Sequence, residues 1–123
     1  MRVMWMLLAL VSLATGSALA QDAVVADRAH YSVVFENDQV RVLRIRYGPN
    51  EQGVMHSHPA GVAIYLDDIT GEFTLPDGQV MNAEGKAREA VWMEAGAHQP
   101  RNMSDQPFEL IQVELKPQSQ AAE

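Results

Sequence analysis

Between Tyr31 and Lys116 the chain never sustains a helical hydrophobic period. Short apolar runs rich in β-branched and aromatic residues alternate there with Gly, Pro, Asn and Asp. The runs are YSVVF (31–35), VRVLRIRY (40–47), VMHSH (54–58), VAIYL (62–66), GEFTL (71–75), QVMN (79–82), EAVWM (89–93) and FELIQVELK (108–116). In the second, Leu43, Ile45 and Tyr47 fall on one face and Arg44 and Arg46 on the other, the period-two signature of a half-buried strand. Pro76-Asp77-Gly78 predicts a tight hairpin, because Pro presets φ, Asp bonds its own backbone and Gly accepts positive φ. Residues 94–100 read as a turn leading into a short extended piece. Such a series of short strands implies an all-β sandwich or barrel spanning 31–116 as one domain.

The flanks read differently. Arg2, the apolar run Val3 to Leu13 and the small-x-small Ala18-Leu19-Ala20 have the layout of a cleavable signal peptide over 1–20. The run is shorter than the roughly 20 residues of a spanning helix. A periplasmic or secreted domain with no membrane attachment after cleavage is therefore expected. Residues 21–30, polar and Ala-rich, are expected to form a flexible arm, and 117–123 a disordered tail.

The formal charge is −7. An acidic domain repels phosphate backbones, which argues against a nucleic-acid partner. The chain has no cysteine, so neither a disulfide nor a thiolate ligand or nucleophile is available, and any metal site must use His, Asp, Glu, Asn or Gln.

His56 and His58 stand two apart, so on a strand both face the same side, together with Val54. Two imidazoles on one wall can ligate one cation if a third ligand arrives from elsewhere; the plainer reading is a solvated strand end beside Pro59. Ser57 points away from both histidines and is a poor nucleophile. The second cluster, GAHQPRN (96–102), carries His98 and Asn102, with three strand signals between it and His58.

His-x-His-Pro on one strand, the Pro-Asp-Gly hairpin, and Trp92-x-x-Ala95-Gly96-x-His98-x-x-x-Asn102 resemble the two sequence motifs of the cupin superfamily over most of residues 40–116. The resemblance implies a double-stranded β-helix, or jelly-roll barrel, in which two histidines and a glutamate of the first motif and one histidine of the second hold a divalent metal. The matching ligands are His56, His58 and His98, and Asn102 matches the asparagine closing the second motif. The family glutamate would fall at Val62, which cannot ligate. The family glycines would fall near Asn50 and at Arg88, and the second-motif proline at Glu94. What remains is a three-histidine set, as in thiol and diketone dioxygenases of the family.

Three neutral imidazoles suit Fe, Zn, Cu or Ni, with Mn also among the candidates, and leave positions open for water and substrate. Without a carboxylate ligand the site keeps its full +2 charge and favours a small anionic ligand. Gln112 or Glu114, on one face of the last strand, would replace the missing glutamate if that face lines the barrel; solvent exposure is the commoner fate of such residues. Tyr65 and Trp92 are expected to pack the barrel or wall its pocket, and His30 to be solvated. Arg44 and Arg46 are expected on the outer face. The leading expectation is an exported metal-dependent, dioxygenase-like enzyme. The alternatives are a non-catalytic periplasmic binding domain and a metal-free isomerase with His56 or His98 as base. The resemblance also implies a homodimer through edge strands.

Overall fold

The computed structural model describes residues 20–118. The expected signal peptide, apart from Ala20, and the tail beyond Gln118 lie outside the described residues. The described chain forms β1 (Tyr31–Glu36), β2 (Val40–Tyr47), β3 (His56–His58), β4 (Gly61–Tyr65), β5 (Ile69–Thr74), β6 (Val80–Gly85), β7 (Ala90–Met93), β8 (Gly96–Asn102) and β9 (Phe108–Leu115), after one short helix, α1 (Ala23–Ala26). One sheet runs β1-β2-β9-β4-β7 and the other β3-β8-β5-β6. Neighbouring strands pair antiparallel throughout. Among the described residues no helix is long and apolar enough to cross a membrane.

The expected alternation in β2 holds: Leu43, Ile45 and Tyr47 are buried and Arg44 and Arg46 exposed. These three residues, with Tyr31, Ile69 and Phe108, form the core between the sheets. The β5–β6 hairpin turns at the expected place. Gly78 has φ 89°, the Leu75 carbonyl accepts from Gly78 N–H at 2.9 Å, and the Asp77 carboxylate accepts from Gln79 N–H at 2.9 Å.

The extended piece expected after the turn at 94–95 is β8, which begins at Gly96 and, at seven residues, runs on to Asn102. Its inward His98, Pro100 and Asn102 are buried and alternate with less buried Ala97, Gln99 and Arg101, a period that the local Gly and Pro obscure. One expectation is corrected: residues 21–30 are a packed segment, not a flexible arm. The Gln21 carbonyl accepts from Ser57 N–H at 2.8 Å, Asp22 caps α1 through Val24 N–H, and Ala23 is 1% exposed in the core. The Asp27 carboxylate accepts from Val54 N–H at 3.1 Å. The segment is polar because its carboxylates bind the barrel, and polar composition alone cannot separate that from solvation.

Positions 61 and 63 matter for the site. A Cβ at Gly61 would stand 2.0 Å from the Val113 carbonyl oxygen, so β4 reaches β9 this closely only without a side chain there. Gly61 pairs with Glu114 and Ala63 with Gln112. Two small residues thus leave interior space opposite two long polar ones.

Candidate metal centre

Pairing of β3 with β8 sets His56 directly across from His98 and His58 across from Gly96. His56, His58 and His98 are 1%, 7% and 9% exposed. Their ring centroids are 4.8 Å apart for His56–His98, 4.7 Å for His58–His98 and 6.3 Å for His56–His58. Antiparallel register therefore converts a spacing of two in one motif and a lone histidine in the other into one cluster. Val54, expected beside them, lies outside β3 and is 49% exposed. Ser57 faces the N-terminal segment, its hydroxyl donating to the Ala20 carbonyl at 3.0 Å.

Two rings are held from behind. His56 Nδ1 lies 2.8 Å from the Val54 carbonyl oxygen and His58 Nδ1 lies 3.0 Å from that of Pro59. A ring that donates from Nδ1 to a carbonyl keeps its lone pair on Nε2, the tautomer a metal ligand needs. His98 stacks on Phe73 at 4.2 Å and Tyr31 meets His56 edge-on at 4.7 Å. Burial pushes His56 below the usual histidine range. It takes His98 down to about 3, the other two imidazoles adding repulsion.

Do these residues fit a divalent ion? With metal–nitrogen bonds of roughly 2.0–2.1 Å, rings sharing one ion have centroids roughly 4.5–5.5 Å apart. Two of the three pairs meet that condition and the His56–His58 pair is too wide. Accordingly, no group of three or more His, Cys, Asp or Glu among the described residues stands in finished metal-site geometry. The residue types suit a divalent ion, but the His56–His58 separation of 6.3 Å does not meet the condition as the rings stand.

The last strand does face inward. Gln112 is 5% and Glu114 1% exposed, which corrects the expectation of solvent exposure. Arg41, missed in the sequence, donates from Nε to Glu114 Oε1 at 2.6 Å and also pairs with Asp22. Extending the Leu43–Ile45–Tyr47 period back by one step would have put Arg41 inside. Glu114 Oε2 has no partner among the described residues, and burial raises this carboxyl against the opposing pull of Arg41, with His58 near enough to lower it slightly. Val62, the place of the family glutamate, alternates outward from Gly61 and Ala63 and pairs with outward Trp92. Trp92 is 54% exposed and donates to Glu94, so it neither packs the barrel nor walls the pocket.

Beside His98 lies an interior cavity of about 50 Å³. Tyr31, Tyr47, Tyr65, Phe73, Leu110 and Gln112 are among its walls. The Tyr31 and Tyr47 hydroxyls are 3.1 Å apart, and burial raises both phenols. Asn102, wholly buried, donates to the Gly48 and Gln106 carbonyls and accepts from Ser104 N–H; it ties loops together and does not wall the cavity. His30 is not solvated. It lies between Asp27 and Glu51, at 2.8 and 2.6 Å, and stacks on Tyr47 at 4.1 Å.

No family model matches the sequence, and no curated protein matches it at a significant level. Solved structures do. A cupin domain from Bordetella pertussis superposes with a TM-score of 0.66 at 21% identity, over 71% of this chain and 92% of that one. A double-stranded β-helix protein from Klebsiella pneumoniae gives 0.56 at 22% identity, over 71% and 75%. An RmlC-like cupin family protein from Methanocaldococcus jannaschii gives 0.55 at 17%, over 69% and 77%. The chain has the cupin fold. At the positions where glycines were expected, near 50 and at 88, Asn50 has φ 58° and Arg88 φ 75°, the left-handed region that glycine ordinarily serves.

Proposed function

We propose that this cupin-fold domain is exported and binds a divalent transition metal through His56, His58 and His98, acting as a metal-dependent enzyme on a small anionic substrate. One observation carries the reading. Three buried imidazoles converge across the β3–β8 pair, two of them locked by backbone carbonyls with Nε2 free. A bound metal would supply Lewis acidity or oxygen activation. The protein's part is to keep His56 and His98 neutral and, by burying all three rings, to exclude water from them. The test is elemental analysis of anaerobically purified protein beside His58→Ala. Near-stoichiometric Fe, Zn, Mn, Cu or Ni in the wild type, largely lost in the variant, is expected. Metal-free protein whose melting temperature ignores all five ions would refute the site.

The cavity's small volume favours a second reading, a metal- or ligand-binding domain without turnover. Metal-loaded protein inactive across oxygen-dependent and hydrolytic substrate panels would select it.

A further inference from the structure

Gln112 Nε2 is a buried donor without a hydrogen-bond partner among the described residues. It sits on the wall of the interior cavity, on the inner face of β9 across from Leu43 and Ala63. Glutamine carries two N–H donors on that nitrogen, and leaving a buried donor unmade is unfavourable. The alanine opposite keeps the space in front of the amide open. Tyr31 and Tyr47 also line the cavity, and their hydroxyls share one hydrogen bond, which uses one of their two protons. Most of the remaining wall is apolar, Ile69, Phe73 and Leu110 among it, with Glu72 and Arg101 also on the lining. A cavity of about 50 Å³ has room for roughly four non-hydrogen atoms, at 10–15 Å³ for each water-sized occupant.

We infer that Gln112 is a specificity residue: its amide donates to the carbonyl or carboxylate oxygen of a ligand of about four non-hydrogen atoms seated in the barrel beside His98. An unpaired polar group facing a mostly apolar chamber is how a site selects ligands that complete its hydrogen bonds and rejects those that do not. The inference rests on the cavity being the ligand chamber of the reading above, but not on the metal. Glu114, the other side chain with a partner-free buried atom, borders an outer cleft with Arg41, Pro59 and Lys116 instead, so it does not compete for this role.

The test uses full-length protein and Gln112→Met, which keeps the side-chain length and removes the donor. Without ligand, the variant should melt higher by about 4 °C or more, because an unmatched buried donor has been removed. Acetamide added to chelator-treated protein and acetate added to zinc-loaded protein, followed by calorimetry or ligand NMR, should bind the wild type with Kd of about 0.1–10 mM, a range suited to four-atom ligands. Both should bind the variant at least tenfold more weakly. A lower melting temperature in the variant would mean that the amide is held internally, and equal binding of both probes would mean that it reads no ligand; either overturns the inference. Failure of zinc to bind while acetamide still distinguishes the two proteins would remove the metal reading and leave this one standing. Binding of neither probe to the wild type overturns this one, whatever the metal content.

Discussion

Arg41 and Glu114 form a buried ion pair: Glu114 is 1% exposed, and among the described residues Arg41 is its one charge-assisted partner. A buried carboxylate deprived of its cation has no water to fall back on, and breaking such a pair costs about 3–5 kcal/mol. Arg41→Ala should lower the urea-unfolding free energy by that amount, while Arg41→Ala combined with Glu114→Gln should recover most of it. Equal losses in the single and double variants would show the pair to be dispensable. One more step of the β2 period would have placed Arg41 inside, but for Glu114 the strand period left open which face turns inward. Lone Arg and Glu are ordinarily exposed, and what draws Glu114 inside is the absence of side chains across the sheet at Gly61. That is a property of register, which no single strand's sequence contains. The histidines were legible because strand period alone places 56 and 58 on one face, and the family spacing supplies 98.

Among the elements, the segment from Asp22 to His30 departs furthest from its composition. Its one short helix could not stand alone at four residues; what fixes it is Asp27, which is 5% exposed and accepts from both Val54 N–H and His30 Nδ1. The same carboxylate thus ties the segment to the stretch leading into β3, two residues before His56. Asp27→Ala removes both bonds and leaves buried donors unmet, at about 1–3 kcal/mol. Amide exchange should accelerate across residues 22–31 and at Val54 while β2 and β9 stay protected; unchanged exchange would show that apolar contact of Ala23 alone holds the segment. The strands, by contrast, were readable one by one, from β-branched and aromatic runs set between turn residues and, in β2, from strict alternation. β8 was the exception, with Gly, Pro and His interrupting a pattern that is nonetheless inward at 98, 100 and 102.

For the molecule as a whole, acid stability depends on the same histidines that would hold the proposed metal. With no cysteine, the domain relies on apolar burial, and the buried imidazoles work against it in acid. His98 titrates near 3 when folded and near 6.5 when unfolded; His56 is shifted the same way. Between those values the unfolded chain binds more protons than the folded one, so stability must fall as pH falls. The loss begins below about 6.5 and is complete near 3. Glu114, raised by burial, works in the opposite sense, because a folded state that holds a proton more tightly gains as pH drops; one carboxyl offsets part of what two histidines remove. Chelator-treated protein should therefore show a urea midpoint that declines steadily from pH 7 to pH 4, and His98→Leu should flatten the decline. Zinc at a hundredfold excess over its Kd should add about 2.7 kcal/mol at pH 7.5. That increment should shrink on acidification, because protons compete for the Nε2 atoms that would hold the ion. A metal increment independent of pH would mean that the ion binds carboxylates elsewhere on this acidic surface and not the three histidines.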